Sequence, residues 1–206
     1  MIEDMGETEY RLVLLRHGET EWSKARRHTG RTDVPLTPLG QEQARAAAHV
    51  LTGLKLSDPL VLTSPKQRAV QTAELSGLSD ARIDDDLVEW DYGDYEGLTT
   101  PQIQQTVPGW TIFTHDVPGG ESAAQVQARA DRVLAAVEPA LRSRDVVLVG
   151  HGHFSRALIA RWAEFDVREG RRFFLSTGAI SVLGHDHQAR TILAHNLVPD
   201  LDGAAR

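Results

Sequence analysis

"LVLLRHGET", residues 12–20, runs four apolar residues straight into Arg16, His17 and Gly18. Val and Leu dominate from Tyr10 to Leu15, which predicts a buried strand. Where that strand ends, the chain sets down a cation and an imidazole, and a glycine lets the backbone bend tightly. Two later segments follow the same plan. "PLVLT" (59–63) predicts a second strand, followed by Ser64 and, one helical turn on, Arg68. "DVVLVG" (145–150) predicts a third, apolar throughout as a doubly covered parallel strand is, and His151, Gly152 and His153 come next.

Helical patterns alternate with these strands. "TPLGQEQARAAAHVLTGL" (37–54) has Thr37 as cap, Pro38 in the first turn and Gly53 near the end. "SPKQRAVQTAEL" (64–75) carries Ser64 and Gln67 at capping-box spacing, with Gly77 as the stop. "ESAAQVQARADRVLAAVEPAL" (121–141) has a second such box, Ser122 and Gln125, and Pro139 breaks or restarts its helix. "FSRALIARWAEF" (154–165) follows the third strand, and "LVEWDYGDYEGL" (87–98) is loop-like. "GAISVLGHD" and "ARTILAHNL" predict a hairpin turned near "HDHQ" (185–188). The alternation implies a three-layer α/β/α sandwich whose central sheet is mostly parallel with an antiparallel edge strand.

A chain of 206 residues suits one domain, 1–206, with the acidic stretch 1–9 as a loose tail. The absence of cysteine excludes disulfides, thiolate metal sites and cysteine nucleophiles, and fits a cytoplasmic setting. The apolar runs are strand-sized, so no membrane association is expected. A net charge of −7 argues against nucleic-acid binding, and an anionic ligand then needs a local basic cluster.

Such a cluster is available. Ligands of open α/β sheets bind outside the carboxyl ends of the strands. That edge receives Arg16 and His17 from the first strand, Arg68 from the helix after the second, and His151 and His153 from the third. Arg68 stands in a helix's first turn, where the macrodipole disfavours a cation. Arginine's planar fork matches phosphate oxygens. Of the two leading histidines, one can be a neutral nucleophile and the other a cation beside the phosphoryl group. Gly18 and Gly152 would let backbone approach the ligand. Other chemistries fit less well. "GHGHFS" lacks the third glycine of a dinucleotide fingerprint, Ser155 standing there. The pairs His151/His153 and His185/His187 have zinc-like spacing but no third ligand, so neither metal nor cofactor is expected.

Taken with "HTGRTDVPLTPLGQEQA", "TSPKQRAVQTAE", "EWDYGDYEG", "PGGES" and "VLVGHGHFSRAL", the opening motif resembles the histidine phosphatase superfamily, in its phosphoglycerate mutase-like branch. The likeness is strongest to acid phosphatases of that branch and extends to its sugar-bisphosphatases. The resemblance implies a phosphate ester as substrate, His17 as the nucleophile, and Arg16, Arg68 and His151 around the phosphate. It implies Glu89 as proton donor, with Ser23, Thr29, Gly30, Gly152 and His153 as further substrate contacts. A possible homodimer also follows from the resemblance. It leaves three activities to separate: phosphatase, phosphoglycerate mutase or sugar-bisphosphatase, and a pocket without turnover. Residues 98–120 contain no Lys or Arg, which removes the basic insertion of the mutases and favours water as the acceptor. Trp110, Phe113 and His115 in that interval read as a lid packed on the core.

Overall fold

Parallel pairing sets the frame. In the computed structural model, which describes residues 10–78 and 80–201, β1 (Leu12–Arg16) lies between β4 (Val146–Gly150) and β5 (Ile180–Asp186). β2 (Leu60–Thr63), β3 (Arg82–Ile83) and β6 (Ala189–Leu197) complete a sheet ordered β3-β2-β4-β1-β5-β6. β1, β4, β2 and β3 are parallel; β5 is antiparallel to β1 and forms the terminal hairpin with β6. The tail expected over 1–9 lies outside the described residues.

Alternation along the strands builds a core on each face. Leu12, Leu14, Val146 and Leu148 pack against α5 (Ala123–Val137) and α6 (Gly152–Trp162). Val13, Leu15, Val147 and Val149 pack against α2 (Pro38–Leu54) and α3 (Gln67–Leu75). Both faces are covered, which is why these strands carry no polar residue facing out. Trp110, Ile112 and Phe113 are buried in the first core, so the interval 98–120 packs down as expected and builds no basic cap. The short helices α1 (Glu21–Lys24) and α4 (Thr100–Gln104) and the two-residue β3 escaped the sequence pattern, being too short to show periodicity. Among the described residues no helix is long and apolar enough to cross a membrane.

The caps divide into local and tertiary ones. Thr37 accepts from Gly40 N–H, and Ser122 with Gln125 makes its capping box, both as the sequence indicates. The box at Ser64 and Gln67 does not form. α3 starts at Gln67, and its first N–H donates to Asp33 Oδ1 at 3.0 Å, a cap brought in from another loop. Ser64 is thereby released for a different partner.

At the amino ends of the strands, Asp145 is buried and accepts from Arg11 N–H (2.7 Å), Ser57 N–H (2.6 Å) and the Arg11 side chain (3.2 and 3.3 Å). Burial alone would raise its pKa, but the Arg11 and Ser57 donors prevail and hold it below the usual aspartate value. Asp145→Ala should lower the unfolding free energy by about 1–3 kcal/mol in urea titrations, since it removes the acceptor of two backbone amides and of the partly exposed Arg11 side chain. The turnover of the folded fraction should not change, because the residue sits at the opposite edge from the site described next.

Candidate active site

Register places the site. Arg16 pairs with Gly150 and Thr63 with Val149, so β1, β4 and β2 end level. The ladder continues one step further: His17 N–H donates to Gly150 carbonyl at 2.9 Å and Ser64 N–H to Val149 carbonyl at 3.0 Å. His17, Ser64 and His151 are therefore neighbours by backbone geometry alone. The His17 and His151 rings stand 5.3 Å apart, edge to face.

Hydrogen bonds fix both tautomers. His17 Nδ1 lies 2.7 Å from the Gly18 carbonyl, which can only accept, so Nδ1 carries the proton and Nε2 keeps its lone pair. His151 Nδ1 lies 3.2 Å from Arg68 Nε, which can only donate. The His151 proton therefore sits on Nε2 and is given to Ser64 Oγ at 2.7 Å. Burial first, then Arg68 and Arg16, push His17 well below the ordinary histidine pKa, against the smaller pull of the Gly18 carbonyl. Burial, Arg68, His17 and Arg16 do the same to His151. With Nδ1 accepting from the Arg68 guanidinium, the buried His151 ring is neutral in the free protein.

Arg16, His17, Ser23, Thr29, Glu89, Gly152 and His153 line one cleft of about 710 Å³. Arg16 gives one Nη to the Leu175 carbonyl, while its buried Nε has no partner. Arg68 does not line the cleft. It is fully buried, and its fork donates to the carbonyls of Thr32 (3.0 Å) and Thr29 (3.2 Å) and to His151. It shapes the loop 29–32 and the imidazole from behind.

Glu89 is 7% exposed and caps α6 from outside the helix. Oε1 accepts from Trp90 and Phe154 N–H at 2.9 and 2.8 Å, and Oε2 from His153 N–H at 3.0 Å. The α6 terminus, expected to offer its amides to substrate, spends those of His153 and Phe154 on this carboxylate. Four other expected substrate contacts are engaged within the protein. A Cβ on Gly18 would stand 2.1 Å from the Gly40 carbonyl, so this glycine allows the loop to pack on α2 rather than on a ligand. Gly30 N–H donates to Glu96 at 2.9 Å and faces the Trp90 carbonyl. A Cβ on Gly152 would stand 3.1 Å from the Arg16 guanidinium carbon, so its missing side chain makes room for that fork. Ser23 lines the cleft, but its hydroxyl is tied to Thr20 N–H and carbonyl.

Other residues of the site gave no signal on their own in the sequence. Arg129 on α5 donates to the carbonyls of Asp86 and Val88 at 2.8 and 2.7 Å and pairs with Glu121 at 2.7 Å, clamping the loop that carries Glu89. Tyr92 hydrogen-bonds His153 Nδ1, and the His28 ring lies tilted against Tyr92 with 4.7 Å between centroids. Burial raises the Tyr92 pKa well above its ordinary value, so the hydroxyl keeps its proton.

With this geometry in hand, comparisons with known proteins can be stated. Residues 12–198 match the family model of the histidine phosphatase superfamily (branch 1). An acid phosphatase of Mycobacterium tuberculosis is 50% identical over 188 residues, covering 91% of this chain and 93% of the relative. A solved structure of an open reading frame product from the same organism superposes with a TM-score of 0.90 at 49% identity, covering 92% of this chain and 98% of that one. The sedoheptulose 1,7-bisphosphatase of Saccharomyces cerevisiae is 34% identical, covering 77% of this chain and 69% of the relative. A buried pair of neutral imidazoles beside two arginines, in a chain that follows such relatives nearly end to end, belongs to the histidine phosphatase superfamily, branch 1.

Proposed function

We propose that the chain, acting as one catalytic domain over 1–206, is a phosphomonoesterase of the acid phosphatase kind that cleaves small phosphate esters through a phosphohistidine on His17. The carrying observation is the His17 tautomer: Nδ1 is committed to the Gly18 carbonyl, and the free Nε2 lone pair belongs to a ring that lines the cleft. Nε2 attacks phosphorus in line and the ester oxygen leaves. Arg16 meets the phosphoryl oxygens with the donors the protein leaves unpaired. Arg68 adds its charge from behind His151, whose Nε2–H can turn from Ser64 to a phosphoryl oxygen. Fixed donors aimed at developing charge supply most of the stabilisation in phosphoryl transfer.

Glu89 gives the leaving oxygen its proton and then takes one from the water that hydrolyses phosphohistidine. Oε2, with one N–H where Oε1 has two, is the oxygen suited to this work. Water rather than a second substrate takes the phosphoryl group, because 98–120 packs into the core and adds no cation above the cleft. This supports phosphatase over mutase. A cytoplasmic location and a homodimer are part of the same reading; the first fits the cysteine-free composition and the second follows the family resemblance.

His17→Ala should lower phosphate release by about 10³-fold or more with the fold intact by circular dichroism. Acid-labile, base-stable phosphate should map to the tryptic peptide that holds His17; label on another peptide would exclude this nucleophile. Glu89→Gln should cost about 10²–10⁴-fold on an alkyl phosphate, the usual range for general acid catalysis. It should cost far less on p-nitrophenyl phosphate, whose leaving group needs no proton, and equal losses on both would count against the acid role.

The neutral histidines also set an acid limit on stability. Burial pushes His28 down to about 4 from 6.5, with Glu96 opposing. Between those values the unfolded chain takes up a proton that the folded one refuses, so stability is complete above pH 6.5 and falls as pH drops towards 4. The loss from this one ring is about 3 kcal/mol. Urea midpoints should decline across that window, and His28→Gln should flatten the decline.

A further inference from the structure

Very little holds the Arg16 fork. Among the described residues its guanidinium has a single hydrogen bond, from Nη1 to the Leu175 carbonyl, and its buried Nε has none. Gly152 leaves room beside the fork and supplies no bond to it. A group that must meet phosphoryl oxygens in one orientation therefore takes that orientation from one carbonyl. The carbonyl belongs to the segment 173–179, of which Phe174, Leu175, Ser176 and Thr177 line the cleft.

That segment is neither helix nor strand, so its placement depends on bonds to its neighbours. At its far end, Gly178 N–H donates to the His17 carbonyl at 3.0 Å and Arg16 N–H to the Ala179 carbonyl at 3.1 Å, which ties it to β1. Beside Leu175, the Ser176 N–H donates to Asn196 Oδ1 at 2.7 Å. The Leu175 carbonyl and the Ser176 N–H belong to one peptide unit, which is planar, and they point in opposite directions from it. Asn196 grips one edge of this plane and Arg16 is bonded to the other. Fixing the N–H fixes the carbonyl.

Asn196 lies on β6, the edge strand, and is not among the residues that line the cleft. A β-bulge brings it to Ser176. Ile180 pairs with Leu197 and Val182 with Ala194, so His195 and Asn196 together oppose Ser181. A bulge breaks the alternation of side chains along a strand and re-aims one of them. Asn196 takes the left-handed conformation there, with φ at +54°. The bulge is pinned by the buried Ser181, whose Oγ accepts from Asn196 N–H at 3.3 Å and lies 3.0 Å from His195 Nδ1. Glycine is the usual residue in such a conformation; asparagine also tolerates it and brings an amide. Here the amide is the part in use.

We propose that Asn196 is a positioning residue for phosphoryl transfer: by holding the Ser176 N–H it fixes the 175–176 peptide plane, and the Leu175 carbonyl of that plane sets the Arg16 fork against the phosphoryl group. This rests on the phosphatase reading and extends it to a strand outside the cleft. The two hydrogen bonds run in one direction, from Arg16 to the Leu175 carbonyl and from the Ser176 N–H to Asn196, so each polarises the shared peptide and strengthens the other.

Two substitutions separate the amide from the backbone. Asn196→Gly suits the left-handed turn and removes the acceptor; Asn196→Asp keeps an acceptor oxygen. With p-nitrophenyl phosphate, N196G should lower kcat/KM about tenfold, as loss of one hydrogen bond to a group that orients a charge provides. N196D should stay within about threefold of the wild type. The cycle with Arg16→Lys tests the route. A lysine is a point charge with no plane to orient, so in R16K the further change to N196G should cost about twofold or less. N196G should melt within about 5 °C of the wild type. Wild-type turnover in N196G, an equal loss in N196D, an undiminished loss in the R16K background or a larger fall in melting temperature overturns the positioning role. No phosphate released by the wild type overturns the phosphatase reading instead.

Discussion

Arg68 has no access to solvent, yet it carries a full charge and a set of N–H donors that must all be placed. It places them on the carbonyls of Thr29 and Thr32 and on Nδ1 of His151, which joins three segments that are distant in sequence. A buried guanidinium left unsatisfied is strongly destabilising, so this bonding pattern is a constraint on the fold as much as a feature of the site. It fixes the loop after α1, sets the His151 tautomer and adds to burial, the larger effect, in lowering the pKa of both leading histidines. It also leaves a standing positive field at the carboxyl edge of the sheet. The protein stores that field during folding, when core packing offsets its cost, and in the proposed reaction a phosphate dianion draws on it.

The counterweight is Glu89. A helix amino terminus beside two arginines is a natural seat for an anion. Here two of its amides hold the protein's own carboxylate in place of a ligand's oxygens. The effect is to anchor Glu89, the proton donor of the proposed reaction, in a fixed orientation on the wall of the cleft that Arg16 also lines. The Arg129–Glu121 pair and the carbonyls it binds stiffen the loop from behind. Such support matters because a general acid works only within hydrogen-bond reach of the leaving oxygen.

Much of this was legible in the residues. Strand signals at 10–15, 59–63 and 145–150 gave the parallel core within a residue or two, because apolar runs covered on both faces look the same in sequence and in space. Arg16, His17 and His151 were legible because Arg16 ends a strand and each histidine directly follows one, and strand ends share an edge. Arg68 was recognisable by its breach of the helix-dipole rule, and the fold buries it completely, with its fork held by Thr29, Thr32 and His151. Ser64 misled: a capping-box spacing is a local cue, and Asp33, a residue no local pattern connects to α3, took the cap and freed the hydroxyl for His151.

The sequence by itself determined the longer secondary elements, the order in which they alternate, and the residue types able to carry phosphoryl transfer. It could do so because hydrophobic period and turn chemistry act between residues close in the chain. Only the tertiary structure decided the partners. It turned Gly18 and Gly30 into packing and loop-positioning residues, gave the α6 amides to Glu89, and brought Arg26, Arg27 and Arg156 around one cleft with Arg16. Those outcomes depend on which donors and charges meet once the layers close, and meetings across tens of residues leave no period in the chain for a reader to find.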